Sequence, residues 1–394
     1  MIPKYYEFQN STKILSGKRA LENIPKELNM LNAKNVLILS DKTLEKIGIV
    51  KTVVDALYCS YINIKKIYCD IPTDSSLDIV NEIVKIYKEN KCDSIIAIGG
   101  GSVIDTAKGV RMVLMQNVSN ILELEGSEMI NYGKNIPFVA IPTTSGTGSE
   151  ATLVAVILDK IRNVKMEFIS YFLLPNISVL DSRMTLSLPS KITAETGMDA
   201  LCHAIEAYTC IQKNPLSDAY AISAIEILRD NLVETVKNGN DKNKRLELAN
   251  ASLMAGIAFS NSMVGLIHAI GHSVGSVAHV PHGEAMAILM PHCMKFNLDK
   301  LEEEYGKLLL YIGGDEIYAK TPKNERGKMT IKVIEKLIKK LNEISKMPTR
   351  LREANVKKEQ FLEIANKAIN DGAIILNPKN ANVSEIIKIL EEAY

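Results

Sequence analysis

Between residues 35 and 180, short β-branched apolar runs alternate with longer amphipathic stretches, and this alternation narrows the possible folds more than any other feature. NVLILS (35–40), YINIKKIY (61–68), DSIIAIG (93–99) and IPFVAIP (136–142) have the length and composition of strands. The intervening segments 43–58, 76–90 and 102–115 carry apolar residues at helical spacing, such as Leu77, Val80, Ile83, Val84 and Tyr87. Strands separated by helices require crossover connections, so the pattern predicts a Rossmann-like α/β domain, a parallel sheet with helices on both faces. ATLVAVILDK, VKMEFIS and ISVLD are expected to supply its last strands. After Pro189 nearly everything reads as helix, with Pro215 placed at a helix start and Gly239 just past a helix end. The boundary therefore falls near Leu188 to Ser190, giving an α/β domain over 1–189 and an all-α domain over 190–394.

The charge balance, 47 basic against 46 acidic residues, leaves no general field to hold nucleic acid or an anionic membrane, and points to small-molecule work. The N-terminal stretch MIPKYYEFQNSTKILSGK lacks the apolar core of a secretory signal and reads as a cytoplasmic start. The most apolar long stretch, 249–278, contains Asn250, Asn261, His268 and His272, which suit buried helices better than lipid. Six scattered cysteines (Cys59, Cys69, Cys92, Cys202, Cys210, Cys293) show no two-residue spacing and read as reduced structural thiols.

The third strand runs into Gly99-Gly100-Gly101-Ser102 at the start of a helix. Glycines there let backbone amides approach a ligand, and the helix start adds unpaired N–H groups, an arrangement that suits a pyrophosphate. The spacing is not G-x-G-x-x-G, so a plain strand-to-helix turn with a Ser102–Asp105 capping box is the competing reading. The fourth strand ends in PTTSGTGSE (142–150), whose hydroxyls and glycines suit phosphate, ribose or carboxamide groups. Asp41 follows the first strand, where a carboxylate can accept from ribose hydroxyls and would repel a 2′-phosphate, favouring NAD over NADP; a helix N-cap is its alternative role.

All six histidines (His203, His268, His272, His279, His282, His292) lie between 203 and 292. On a helix, residues four apart share a face, so Asp199 with His203, and His268 with His272, can each point into one pocket. His282 lies between Pro281 and Gly283, on a turn or helix entrance that can be aimed at the same place. One carboxylate with several imidazoles suits Fe(II) or Zn(II), although spacing alone leaves open which imidazoles are ligands. His279 and His292 read as structural or surface residues.

Taken together, GGGSVIDTAKG (99–109), PTTSGTGSE (142–150), GMDALCHAIEAY (197–208) and GLIHAIGHSVGSVAHVPHGEA (265–285) resemble the iron-containing, or group III, alcohol dehydrogenases, and the likeness covers essentially the whole chain. The resemblance implies a dehydroquinate-synthase-like architecture, with Asp199, His203, His268 and His282 binding the metal and His272 beside it, either supporting the ligands or handling a proton. It implies that Asp41, Gly100, Gly101, Ser102, Thr143, Thr144, Thr147 and Lys165 line the NAD(P) site. The expected reaction is hydride transfer between a small primary alcohol or diol and the nicotinamide, in a homodimer or larger homo-oligomer, with the site in the cleft between the domains. Two departures stand out: Met286 where many members have Asn, and Asp74-Ser75-Ser76 where many have Asn-Pro-Thr. A zinc enzyme of the glycerol-dehydrogenase or dehydroquinate-synthase branch would share the glycine loops, but the Asp-x-x-x-His and His-x-x-x-His pairings disfavour it. A non-catalytic nucleotide-binding protein is disfavoured because no ligand is missing.

Overall fold

The computed structural model describes residues 3–58, 60–126, 133–162 and 164–394, so Cys59 lies outside the described residues. The chain forms two compact units: Gln9–Leu186, and a helical unit from Ser187 to Tyr394 that also takes in the residues up to Phe8. The break thus falls within a few residues of Pro189.

In the first unit the order is β1 (Lys13–Ser16), α1 (Ile24–Met30), β2 (Asn35–Leu39), α2 (Lys42–Lys46), α3 (Ile49–Leu57), β3 (Asn63–Tyr68), α4 (Leu77–Glu89), β4 (Ser94–Gly99), α5 (Gly101–Gln116), β5 (Phe138–Pro142), β6 (Val154–Asp159), β7 (Val164–Ile169) and β8 (Ile177–Leu180). Six strands make one parallel sheet in the order β1-β8-β5-β4-β2-β3. Successive side chains of a strand face opposite sides, and here both sides are covered. Leu37, Leu39, Ile95, Ala97 and Phe138 pack with α4 and α5, whereas Val36, Ile38, Ile96, Ile98 and Val139 pack with α1 and α3.

Three details differ from the sequence expectation. The helix expected over 43–58 is two helices, because Gly48 adopts a left-handed φ of 84° between α2 and α3. Of the last extended segments only β8 joins the sheet. β6 and β7 instead pair antiparallel with each other, burying Ala155, Ile157, Met166 and Phe168 on one side and leaving the alternate residues more exposed. The edge strand β1 was not expected, since KILS is only four residues long and shows no period-two alternation of apolar and polar residues.

The second unit consists of α6 (Ser190–Thr209), α7 (Pro215–Lys237), α8 (Lys242–Ser260), α9 (Leu266–Ala278), α10 (His282–Gly313), α11 (Asp315–Lys320), α12 (Arg326–Ser345), α13 (Phe361–Ala368) and α14 (Val383–Ala393). Pro215 is the first residue of α7, capped by Asn214. Helix α6 is buried around nearly its whole circumference and packs on α7, α8 and α10. A helix that central places its polar residues inside the core, where each needs a partner. Among the described residues no helix is long and apolar enough to cross a membrane.

Candidate active site

In the first unit, the three loops singled out in the sequence leave the carboxyl ends of the adjacent strands β2, β4 and β5, the end at which ligands of open α/β sheets gather. Gly99 pairs with Pro142, and the Thr143 N–H donates to the Gly99 carbonyl at 3.1 Å, which fixes the two glycine-bearing loops side by side. A Cβ on Gly100 would stand 3.3 Å from Thr144 Oγ1, and one on Gly101 would stand 3.1 Å from Thr147 Cγ2. Side chains at 100 and 101 would therefore crowd the second loop.

The Ser102–Asp105 capping box of the competing reading does not form. Helix α5 begins at Gly101 with Gly100 as N-cap, no side chain capping it. The Ser102 hydroxyl donates instead to the Thr73 carbonyl, while the Ser149 hydroxyl (2.5 Å) and the Val156 N–H (3.0 Å) donate to Asp105. The open first turn of α5 keeps its N–H groups for an anion. Asp41 does cap α2, accepting from the Leu44 N–H at 2.9 Å. Lys165, on β7, is half exposed and pairs at 3.0 Å with Asp74, beside the Thr73 carbonyl that Ser102 reaches.

Behind these loops lies a buried charged group. Lys108 donates to Thr152 Oγ1 (2.9 Å) and the Val154 carbonyl (2.6 Å). Burial pulls its ammonium down to about 8 against the opposing pull of Asp105 and Glu150. Burial likewise pushes the Glu150 carboxyl up to about 7, and its Oε1 is buried with no hydrogen-bond partner.

In the helical unit, α6 carries Asp199 and His203, α9 carries His268 and His272, and α10 opens with His282. Asp199 Oδ1 lies 3.8 Å from His203 Nδ1, 3.9 Å from His268 Nε2 and 3.3 Å from His282 Nε2. Bonds of about 2.0–2.2 Å to one tetrahedral ion would set such atoms about 3.3–3.6 Å apart. Asp199 Oδ1, His203 Nδ1 and His268 Nε2 are all buried without a hydrogen-bond partner, a costly condition that a cation would relieve. Burial works to raise the Asp199 carboxyl, but its attraction to His203, His282 and His268 in their protonated forms outweighs it and holds the group far below the usual carboxylate range. Burial also keeps His203 and His268 in the neutral form that ligation needs, lowering His203 to about 3. These four residues fit a divalent ion. His282 and His272 are partly exposed at 39% and 31% of their side chains, so the cluster opens to solvent on their side.

His272 stands 5.5 Å ring to ring from His282. Its Nδ1 lies 2.9 Å from Asp371 Oδ2. His279 ends α9 in a left-handed conformation and His292 lies on α10; neither joins the cluster. Met286 is fully buried, its methyl filling the space where a Cβ on Gly271 would be, so this side chain packs against the backbone beside His272.

Two acidic residues escaped the sequence reading. Glu206 meets His268 Nδ1 at 2.5 Å, and it could have been found, because Asp199, His203 and Glu206 share one helix face at i, i+4 and i+7. Asp371 is 99 positions from His272 and carries no local signal.

The chain matches two family descriptions, "Iron-containing alcohol dehydrogenase" over residues 11–182 and "Fe-containing alcohol dehydrogenase family, C-terminal" over 193–394. It is 34% identical over 380 residues to the NAD-dependent methanol dehydrogenase of Bacillus methanolicus, covering 96% of this chain and 97% of that one. It is 33% identical over 386 residues to the NADPH-dependent butanol dehydrogenase of Clostridium saccharobutylicum, covering 97% and 96%. The crystal structure of a 1,3-propanediol oxidoreductase superposes with a TM-score of 0.94 at 30% identity, covering 99% of this chain and all of that one.

Proposed function

The chain belongs to the iron-containing alcohol dehydrogenase family, and from that premise we propose an NAD-linked, metal-dependent oxidoreductase that interconverts a small primary alcohol or diol and its aldehyde. The observation that carries the metal half of this reading is the convergence of Asp199 Oδ1, His203 Nδ1, His268 Nε2 and His282 Nε2, three of them buried atoms with no hydrogen-bond partner. These residues would hold Fe(II) or Zn(II), which when bound supplies a Lewis acid that favours the ionised alcohol oxygen and polarises the aldehyde carbonyl.

The chain's own groups do the rest. With Nδ1–H donating to Asp371, the His272 ring presents Nε2 as the base that takes the alcohol proton and returns it in the reverse direction. The open first turn at Gly100, Gly101 and Ser102 would receive the pyrophosphate, with Thr143, Thr144, Thr147 and Lys165 contacting the rest of the dinucleotide. Asp41 would accept from the ribose hydroxyls. Its negative charge supports NAD over NADP, and the relative named NADPH-dependent makes that distinction worth testing. A homodimer or larger homo-oligomer in the cytoplasm completes the proposal and rests on the family likeness alone.

The test is to load the full-length protein with Fe(II) or Zn(II), add NAD and a panel of short primary alcohols and diols, and follow reduced nicotinamide by absorbance. Turnover on part of the panel is expected. Metal-loaded protein that turns over none of these alcohols, and none of their aldehydes with NADH, would refute the proposal.

A further inference from the structure

Helix α9 delivers His268, yet it starts without a side-chain cap of its own, because its N-cap is Gly265. Its first N–H groups are met from elsewhere in the fold. The Ile267 N–H donates to Glu206 Oε1 at 2.7 Å, and the Leu266 N–H to Asn377 Oδ1 at 3.3 Å. A Cβ at Gly265 would lie 3.2 Å from Glu206 Oε1 and 3.1 Å from Asn377 Oδ1, so glycine lets both acceptors come close. The second Glu206 oxygen, Oε2, meets His268 Nδ1 at 2.5 Å. Glu206 is itself 95% buried. One carboxylate from α6 therefore holds both the start of α9 and the imidazole that α9 carries.

We propose that Glu206 is a positioning residue that fixes His268 as the Nδ1–H tautomer and aims its Nε2 lone pair at the ion; this rests on the reading that Asp199, His203, His268 and His282 bind metal. Oε1 accepts from the Ile267 N–H, which leaves Oε2 as the acceptor that faces Nδ1–H. A proton held on Nδ1 leaves Nε2 as the one ligating nitrogen of the ring. Cys202 Sγ, 3.9 Å from the same Nδ1, shares the Glu206 side of the ring. That cluster of Cys202, Glu206 and His268 is thus a support for the first site rather than a second metal site.

Glu206→Gln separates this role from simple packing. A glutamine has one acceptor and one donor where the carboxylate has two acceptors. If its oxygen keeps Ile267 N–H, its NH2 faces Nδ1 and drives the proton to Nε2, where it blocks ligation. If its oxygen keeps Nδ1–H, two donors oppose each other at the helix start. The full-length chain, stripped and titrated with Co(II), should bind the ion about 10- to 100-fold more weakly as the variant than as the parent. Its Co(II) ligand-field absorption should change, and the metal-free thermal midpoints show whether the variant is folded. Co(II) affinity within about 2-fold of the parent, with an unchanged spectrum, would overturn the proposal. Should the variant not fold, ¹⁵N NMR of histidine-labelled parent decides: a pyrrole-type Nδ1 on metal-free His268 supports it, and a pyrrole-type Nε2 overturns it. A parent that binds no Co(II) at all instead strikes the metal reading beneath it.

Discussion

His272 Nδ1 faces Asp371 Oδ2 at 2.9 Å, while the other oxygen of Asp371 accepts from the Ala373 N–H at 2.9 Å, so the carboxylate is held by the backbone as it holds the ring. Asp371→Asn retains an oxygen for Ala373 but turns an NH2 toward Nδ1, reversing the tautomer and removing the base from Nε2. The expected loss in kcat is on the order of 100-fold, with KM for the alcohol and metal content little changed. Steady-state kinetics alongside metal analysis check it, and an unchanged kcat would remove His272 from proton transfer.

Asp199 touches three imidazoles through one oxygen, so Asp199→Asn alters the charge at the centre of the cluster with almost no change of shape. Loss of bound metal and a fall in kcat/KM of roughly three orders of magnitude, about 4 kcal/mol of transition-state stabilisation, are expected. Metal analysis after gel filtration reads the first and alcohol oxidation the second. A variant that keeps its full metal complement and near-normal turnover would disprove the ligand assignment.

Much of this arrangement is legible in the sequence because local periodicity encodes it. The apolar runs of β2, β4 and β5 announce strands, and parallel topology then forces the loops after them to one end of the sheet. Helical spacing likewise puts Asp199 with His203 and His268 with His272. What stays hidden is contact between distant segments. Asp105 has the right offset from Ser102 for a capping box, but the Ser149 hydroxyl and the Val156 N–H engage it instead. The antiparallel partnership of β6 and β7 turns on where two short strands find an open pairing edge, which composition does not specify.

Asp41 combines two roles that a single substitution can separate. Its side chain caps α2 through the Leu44 N–H, and its charge is the proposed barrier to a 2′-phosphate. Asp41→Ser keeps an oxygen for the cap and removes the charge. The ratio of kcat/KM for NADP to that for NAD should rise at least about 10-fold, roughly 1.4 kcal/mol, with the thermal midpoint nearly unchanged. A ratio that does not move would place cofactor choice elsewhere.

Glu150 gives a stability signature that needs no metal or substrate. Its carboxyl is 1% exposed and is raised by burial from 4.5 to about 7, Lys108 only partly offsetting this. A raised pKa means that the folded chain binds this proton more tightly than the unfolded chain does. Its contribution is therefore fully present below pH 4.5 and is lost as pH rises from 4.5 to about 7. A shift of this size corresponds to roughly 3 kcal/mol across that window. Glu150→Gln, neutral at every pH, should match the parent near pH 4.5 and become progressively more stable than it toward pH 7.5. Thermal midpoints of the two metal-free proteins across this range measure the divergence. A gap that stays constant with pH would mean that Glu150 does not change its protonation on folding, and that Lys108 neutralises it fully within the cluster.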